Sequence, residues 1–258
     1  MTIPNRSVLG FFGSHPNLKM YVPLSGELLD RVGGKTVTLT GSTGSVTERA
    51  GTLNTNCRHF ASHAIGARYY AVGANSDYQF GSTLTAMAWL SIDQLATYDH
   101  IINKYYTPGA VGWGILRSSN SKLRWQVNNA GVSDAVANNP ITVPGTWYHT
   151  ALVIDGTSLF GYVDGIRRAG VANTRNPNTT SDKFKIGNRR QTVAEGCIGS
   201  IQEVALFDCA LDAQDLLQYY RYATFKDHAR KSIFFYPTPG VGGGAPLMHH
   251  HLSTLRAS

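Results

Sequence analysis

From Leu84 to Ile92 the chain alternates. Leu84, Ala86, Ala88, Leu90 and Ile92 fall on one face and Thr85, Met87, Trp89 and Ser91 on the other, which is the two-residue period of an extended strand. The runs HIINK (100–104), VGWGILR (111–117) and KLRWQV (122–127) follow, the last two parted by the polar turn SSNS. TWYHTALVI (146–154) is apolar in both phases, as expected of a strand buried deep in a sandwich. Asp155-Gly156 and Asp164-Gly165 each close a strand-like run. Asp-Gly suits tight hairpins because both positions tolerate positive φ, so residues 151–169 read as three consecutive antiparallel strands. One helix is predicted over AQDLLQYYRYA (213–223). Asp212 caps it, Asp215 in its first turn suits the helix dipole, and Leu211 and Leu216 occupy the two positions of a hydrophobic staple.

This pattern occupies residues 20–223. Residues 1–19, with Pro4, Gly10, Gly13 and Pro16, read as an irregular N-terminal arm. Residues 224–258 carry YPTPGVGGGAP and read as a second, Gly/Pro-rich arm. Composition agrees with a turn-rich β protein: charged residues are 15% and glycine stands at 27 of 258, against roughly 25% charged in average domains. The net charge of +7 is spread along the chain, whereas nucleic-acid binders gather Lys and Arg on one element with aromatics between them. The densest pairs, Arg167-Arg168 and Arg189-Arg190, sit beside predicted turns. No nucleic-acid partner is expected. Three cysteines, Cys57, Cys197 and Cys209, leave at least one thiol unpaired and exclude a disulfide scaffold. Residues 1–19 show no signal-peptide pattern and no stretch approaches about 18 apolar residues. Synthesis in a cytoplasm, without membrane insertion, is the expectation.

Six stretches in this order resemble the laminin-G-like, concanavalin A-like lectin/glucanase family. They are YVPLSGELLDRVGG, TAMAWLSI, the HIINKY to KLRWQV region, GTWYHTALVIDGTSLFGYVDGIRRA, FKIGNRR and GCIGSIQEVALFDCALDAQDL. The resemblance implies an all-β, two-sheet antiparallel jelly roll over residues 20–223, with ligands near the concave sheet and its rim loops. It does not settle function, because sites rather than folds carry activity.

Glycanases of this fold place paired carboxylates on one strand as Glu-x-Asp-x-x-Glu, one to act as acid and the other as nucleophile or base. Here Glu203 stands without a partner at either spacing, and Gln202 occupies the neighbouring position, so Glu203 reads as structural and no enzyme is expected. His149 lies in WYHTALVI, where the family pattern also places a histidine, and reads as a partly buried, hydrogen-bonded core residue. No cofactor is required. Calcium, the family's common ion, would draw on Asp155 and Asp164, with Asp182 and Asn188 nearby, although turn geometry already accounts for Asp-Gly. His249, His250 and His251 form a run in the C-terminal arm and read as a loop contact. For glycans, Tyr105, Tyr106 and Trp113 flank the TPGAVG loop while Arg189 and Arg190 occupy another. Together they make a candidate rim of stacking and hydrogen-bonding groups. Trp113 also fits the start of a strand, which would make it core instead.

The arms carry apolar pairs, Phe11-Phe12 and Phe234-Phe235. Leaving such side chains in water costs roughly 1.5–3 kcal/mol each, so they read as contacts to other copies of the chain or to neighbouring proteins, with folding back as the alternative. With the absence of a signal pattern, this leads to an expected structural protein of a phage or virus particle, on capsid or tail. Its jelly roll would decorate the surface and bind host glycans. The alternative is a stand-alone, extracellular carbohydrate-binding or adhesion module that uses calcium.

Overall fold

The computed structural model describes residues 7–224, apart from 27, 54, 95–97, 107–110, 119–121, 129–131, 139, 174, 178–181 and 190–193. By contact density the chain divides after Phe225; the second unit, which holds Phe234, Phe235 and His249 to His251, lies outside the described residues.

The described residues form two antiparallel sheets, with strands numbered along the chain. The eight-stranded sheet runs β13 (Ile166–Ala172), β12 (Ser158–Val163), β11 (Trp147–Asp155), β6 (Thr83–Ile92), β15 (Ile198–Phe207), β4 (Asn56–Ala61) and β3 (Val46–Ala50). Its eighth strand, β1 (Leu18–Val22), pairs the end of β15. The seven-stranded sheet runs β10 (Val132–Ala137), β9 (Lys122–Asn128), β8 (Val111–Ser118), β7 (Asp99–Tyr106), β14 (Phe184–Ile186), β5 (Tyr69–Val72) and β2 (Val37–Thr40).

The alternation read from the sequence is the one the sheets use. Leu84, Ala86, Ala88, Leu90 and Ile92 of β6 face inward with Trp113, Ile115, Leu123, Trp125 and Val127 of the opposite sheet. Met87 and Trp89 face outward and join a second apolar cluster with Ala151, Val153, Tyr162 and Phe207. This second cluster exists because two helices cover the outer face of the eight-stranded sheet. Helix α2 (Ala213–Thr224) starts at Asp212, whose Oδ1 accepts from Asp215 N at 2.7 Å. Leu211 and Leu216 are buried together in the cluster, as a staple requires. Trp89 Nε1 donates to Tyr219 Oη of α2 at 3.0 Å.

The second helix was not expected. Residues 7–19 are no free arm: Ser7 caps α1 (Val8–Phe12), its Oγ accepting from Gly10 N, and β1 begins at Leu18, inside the segment read as irregular. Phe12 is 1% exposed, with its ring 5.1 Å from Phe207 and 5.6 Å from Tyr219; the partly buried Phe11 packs on Tyr222 at 5.3 Å. The folding-back alternative therefore holds for this pair, and the assembly role assigned to Phe11 and Phe12 is corrected. The missed signal is hydrophobic: Val8 and Phe12 are one turn apart, and burial against α2 stabilises a helix too short to form alone.

Candidate functional site

On the outer face of the seven-stranded sheet, β8 carries glycine where its neighbours carry polar side chains. Trp113 and Ile115 point into the core, which leaves Gly112 and Gly114 on the other face. Strand register sets Asn103, Gly114, Gln126 and Asp134 in one row across β7, β8, β9 and β10. Tyr105, Gly112, Asn128 and Val132 form the next row. Lys185 of β14 continues the first row beyond Asn103. Amides on β7 and β9 thus flank a strip of bare backbone. Gly112 has φ +129°, and a Cβ there would lie 2.0 Å from Lys104 O, so its bareness is a steric requirement of the strand itself.

The side chains along this strip are held in place. Asn128 Nδ2 donates to Tyr105 Oη at 2.8 Å. The Arg189 guanidinium lies 5.0 Å from the centre of the Tyr105 ring and donates to Glu195 Oε1 at 2.7 Å. His100 lies beside them, its Nε2 3.8 Å from Glu195 Oε2 and its ring 5.8 Å from Tyr98. Asn103 Nδ2 donates to the Asn188 carbonyl at 3.1 Å, while Asn188 Oδ1 accepts from Arg189 N at 2.7 Å. Lys185 Nζ donates to Asp182 Oδ2 and to Arg189 O. Asn103 Oδ1 is buried without a hydrogen-bond partner among the described residues, as are Asp134 Oδ1, Arg189 Nε and Glu195 Oε2; Gln126, 8% exposed, makes no side-chain hydrogen bond among them. Gln126 keeps some of its surface exposed, and an unmatched amide on a rigid sheet suits a hydroxyl-rich ligand.

The structure thus brings together Tyr105 and Arg189 of the expected rim and corrects Trp113. The Trp113 side chain is fully buried, with its ring 5.7 Å from Phe184, so it cannot stack on a ligand. The side chain of Tyr106 and all of Arg190 lie outside the described residues. Asn103, Gln126, Asn128, His100 and Glu195 were missed. For β9 the signal was present, since Arg124, Gln126 and Asn128 alternate with Leu123, Trp125 and Val127 and so mark a wholly polar outer phase.

The two candidate calcium ligands do not converge. Asp155 and Asp164 stand at opposite ends of β12, on the order of 20 Å apart by the strand rise. Asp155 Oδ1 accepts from Thr157 N, Thr157 Oγ1 and Ser158 N at 2.7–2.9 Å. Partial burial raises its pKa, but these bonds outweigh that and hold it below the usual carboxylate range. Asp164, at φ +54°, accepts from His149 N at 2.9 Å; burial raises its pKa despite that bond and the charge of Arg168.

Glu203, expected to be an ordinary structural strand residue, has an unusual place in its strand. It sits at φ +54° where β15 bulges between Gln202 and Ala205. Oε2 accepts from Val8 N of α1 at 2.8 Å and Oε1 from Tyr21 Oη at 2.7 Å. Burial pushes its pKa up to about 7, opposed by these two bonds and by Arg31. His149 is fully buried between Trp89 and Tyr219, at 5.4 and 5.1 Å. Contrary to expectation, neither ring nitrogen has a hydrogen-bond partner among the described residues, and burial lowers its pKa to about 3.

No curated protein matches the chain in sequence. Solved structures do resemble it. Domain 4 of a GH43 extracellular arabinanase from Geobacillus stearothermophilus, in complex with arabinotriose, is 15% identical with a TM-score of 0.63, the match covering 79% of this chain and 98% of that one. The binding domain of Paraclostridial Mosquitocidal Protein 1 is 14% identical at TM-score 0.63, over 80% of this chain and 52% of that one. The binding domain of botulinum neurotoxin DC in complex with SialylT is 14% identical at TM-score 0.61, over 81% and 52%. The chain therefore spans about half the length of these two toxin binding domains, and at such identities the likeness is one of fold. The family model described as the concanavalin A-like lectin/glucanases superfamily matches residues 66–217. That is more than half of the chain, from β5 into α2, and the chain belongs to this superfamily.

Proposed function

We propose that this chain is a carbohydrate-binding module without catalytic activity, and that it holds a neutral glycan against the outer face of the seven-stranded sheet. The observation that carries the reading is the pair of amide-bearing strands, β7 and β9, flanking the glycines of β8, with Gln126, 8% exposed, unmatched among the described residues. Neutral amides and a tyrosine hydroxyl suit sugar hydroxyls, while Arg189 is already matched by Glu195 and Arg124 by Asp134. The arabinotriose complex of the structurally similar arabinanase domain supports the same ligand class. Absence of catalysis is supported by Glu203, whose two oxygens both accept hydrogen bonds beneath α1 on the other sheet.

The test is a glycan array with the full chain, repeated with Gln126→Ala. This substitution removes a group without a partner among the described residues, so stability should hold while affinity falls about tenfold, the effect of losing roughly one well-formed hydrogen bond. A wild-type chain that binds no glycan, or a variant that binds as well as wild type, sinks the proposal.

The particle-surface setting drew on two free arms together with the absence of a signal pattern. With Ser7–Val22 folded onto the sandwich, its N-terminal support is gone. Its remaining proposal is that residues 226–258 join copies of the chain, read out as the solution mass of the full chain against a chain ending at residue 225. Equal monomeric masses would end it.

A further inference from the structure

A second feature lies on the opposite sheet, at its edge. Along β12 and β13 the register slips between Gly161 and Tyr162: Gly161 pairs Ala169 and Tyr162 pairs Arg167, which leaves Arg168 as the extra residue of a bulge. In a regular strand, neighbouring residues point to opposite faces; a bulge sets two residues against one and relaxes that rule. Accordingly, Arg167 and Arg168 line the same open groove, together with Ser158, Phe160, Gly170 and Ala172. The Arg167 guanidinium lies 5.2 Å from the centre of the Phe160 ring. Opposite that ring stands Gly170, where a Cβ would come within 2.9 Å of Phe160 Cδ1, so the floor of the groove is kept low. Both arginines are exposed. Neither forms an ion pair among the described residues, in contrast to Arg49, Arg58, Arg117, Arg124 and Arg189, each of which faces a carboxylate.

We propose that Arg167 and Arg168 bind the sulfo groups of an extended sulfated polysaccharide, which lies in the groove along β12 and β13. Two adjacent exposed guanidiniums, neither held in an ion pair among the described residues, supply the donor fork that oxyanions accept. From Arg167 to Ala172 the groove runs about 16 Å at the strand rise, longer than a single oxyanion, and its small residues leave room for a chain. The chain's net charge of +7 draws polyanions toward it. An acidic peptide added as a further strand beside β13 is disfavoured, because a bulge and charges on an edge strand interrupt the ladder that such pairing needs.

The test is calorimetric titration of the full chain with a heparin octasaccharide at near-physiological salt, using wild type, R167A/R168A and the charge-matched control R31A/K122A. The double variant should bind at least about tenfold more weakly, as expected for losing charge-assisted hydrogen bonds, while the control stays within about twofold of wild type. Both exposed pairs leave the core intact, and matching thermal unfolding confirms it. No wild-type binding, or equal losses in R167A/R168A and the control, overturns the proposal. Inorganic sulfate binding as tightly as the octasaccharide would show a free-anion site, and polyglutamate binding as tightly through the same arginines would show an acidic-peptide site; either result also overturns it. Neutral-glycan binding through Gln126 is read separately, so the two sites stand or fall independently.

Discussion

Asp155 shows how one side chain can carry a ligand expectation and a turn at once. Its Oδ1 receives three hydrogen bonds from Thr157 and Ser158, the local pattern by which aspartate closes a turn on its own backbone. Such an oxygen is committed before any ion arrives, and Asp164 is too distant to complete a shell with it. Asp155→Ala should therefore cost about 1 kcal/mol, the usual net worth of a hydrogen-bonded turn. Urea denaturation should give the same loss in calcium and in a chelator; a loss that grows in calcium would restore a metal role. Gln126 is the contrasting case. Its position in the polar phase of β9 was legible from alternation, yet its significance depends on Gly114 and Asn103 across the sheet, which no local reading of RWQVN supplies.

Elements were legible where local physics decides them. The β6 alternation, the Asp-Gly turns and the cap and staple of α2 all rest on residues within a few positions of each other, and the structure repeats them. Helix α1 failed that test because its stability is tertiary. Five residues containing a glycine do not form a helix in water, but Val8 and Phe12 reach the cluster beneath α2, and Glu203 accepts from Val8 N. Phe12→Ala should thus cost about 3–4 kcal/mol, typical of a truncated buried phenylalanine, while the more exposed Phe11→Ala costs about 1 kcal/mol. If the shifts in urea midpoint came out equal, or if Phe12→Ala changed solution mass rather than stability, the assignment of α1 to the domain would be wrong.

At the scale of the molecule, the jelly roll could be recognised from the order of its stretches, whereas the amide-lined strip and the arginine groove arise from register between strands, and the sequence offered only their separate pieces, the polar phase of β9 and the Arg167-Arg168 pair. The second apolar cluster is another product of assembly: it buries two titratable groups, Glu203 and His149, whose shifts pull in opposite directions. Glu203 takes up its proton more readily folded than unfolded, with a pKa raised from 4.5 to about 7. Its contribution is complete below pH 4.5 and lost as the pH rises through 7. His149 holds a proton less readily when folded, its pKa lowered from 6.5 to about 3. Its contribution is complete above pH 6.5 and lost as the pH falls toward 3. Between pH 4.5 and 6.5 both are neutral in the folded chain and both charged in the unfolded one, so the two slopes, each about 1.4 kcal/mol per pH unit at most, cancel. Wild-type stability contributed by this cluster should be level across that window. Glu203→Gln removes the falling slope and should leave stability rising with pH by up to about 3 kcal/mol across the window; His149→Leu should do the reverse. The double variant should be level again. Urea denaturation of the four proteins at pH 4.5, 5.5 and 6.5 measures all of this, and parallel profiles for the two single variants would show that these groups do not set the pH dependence of the fold.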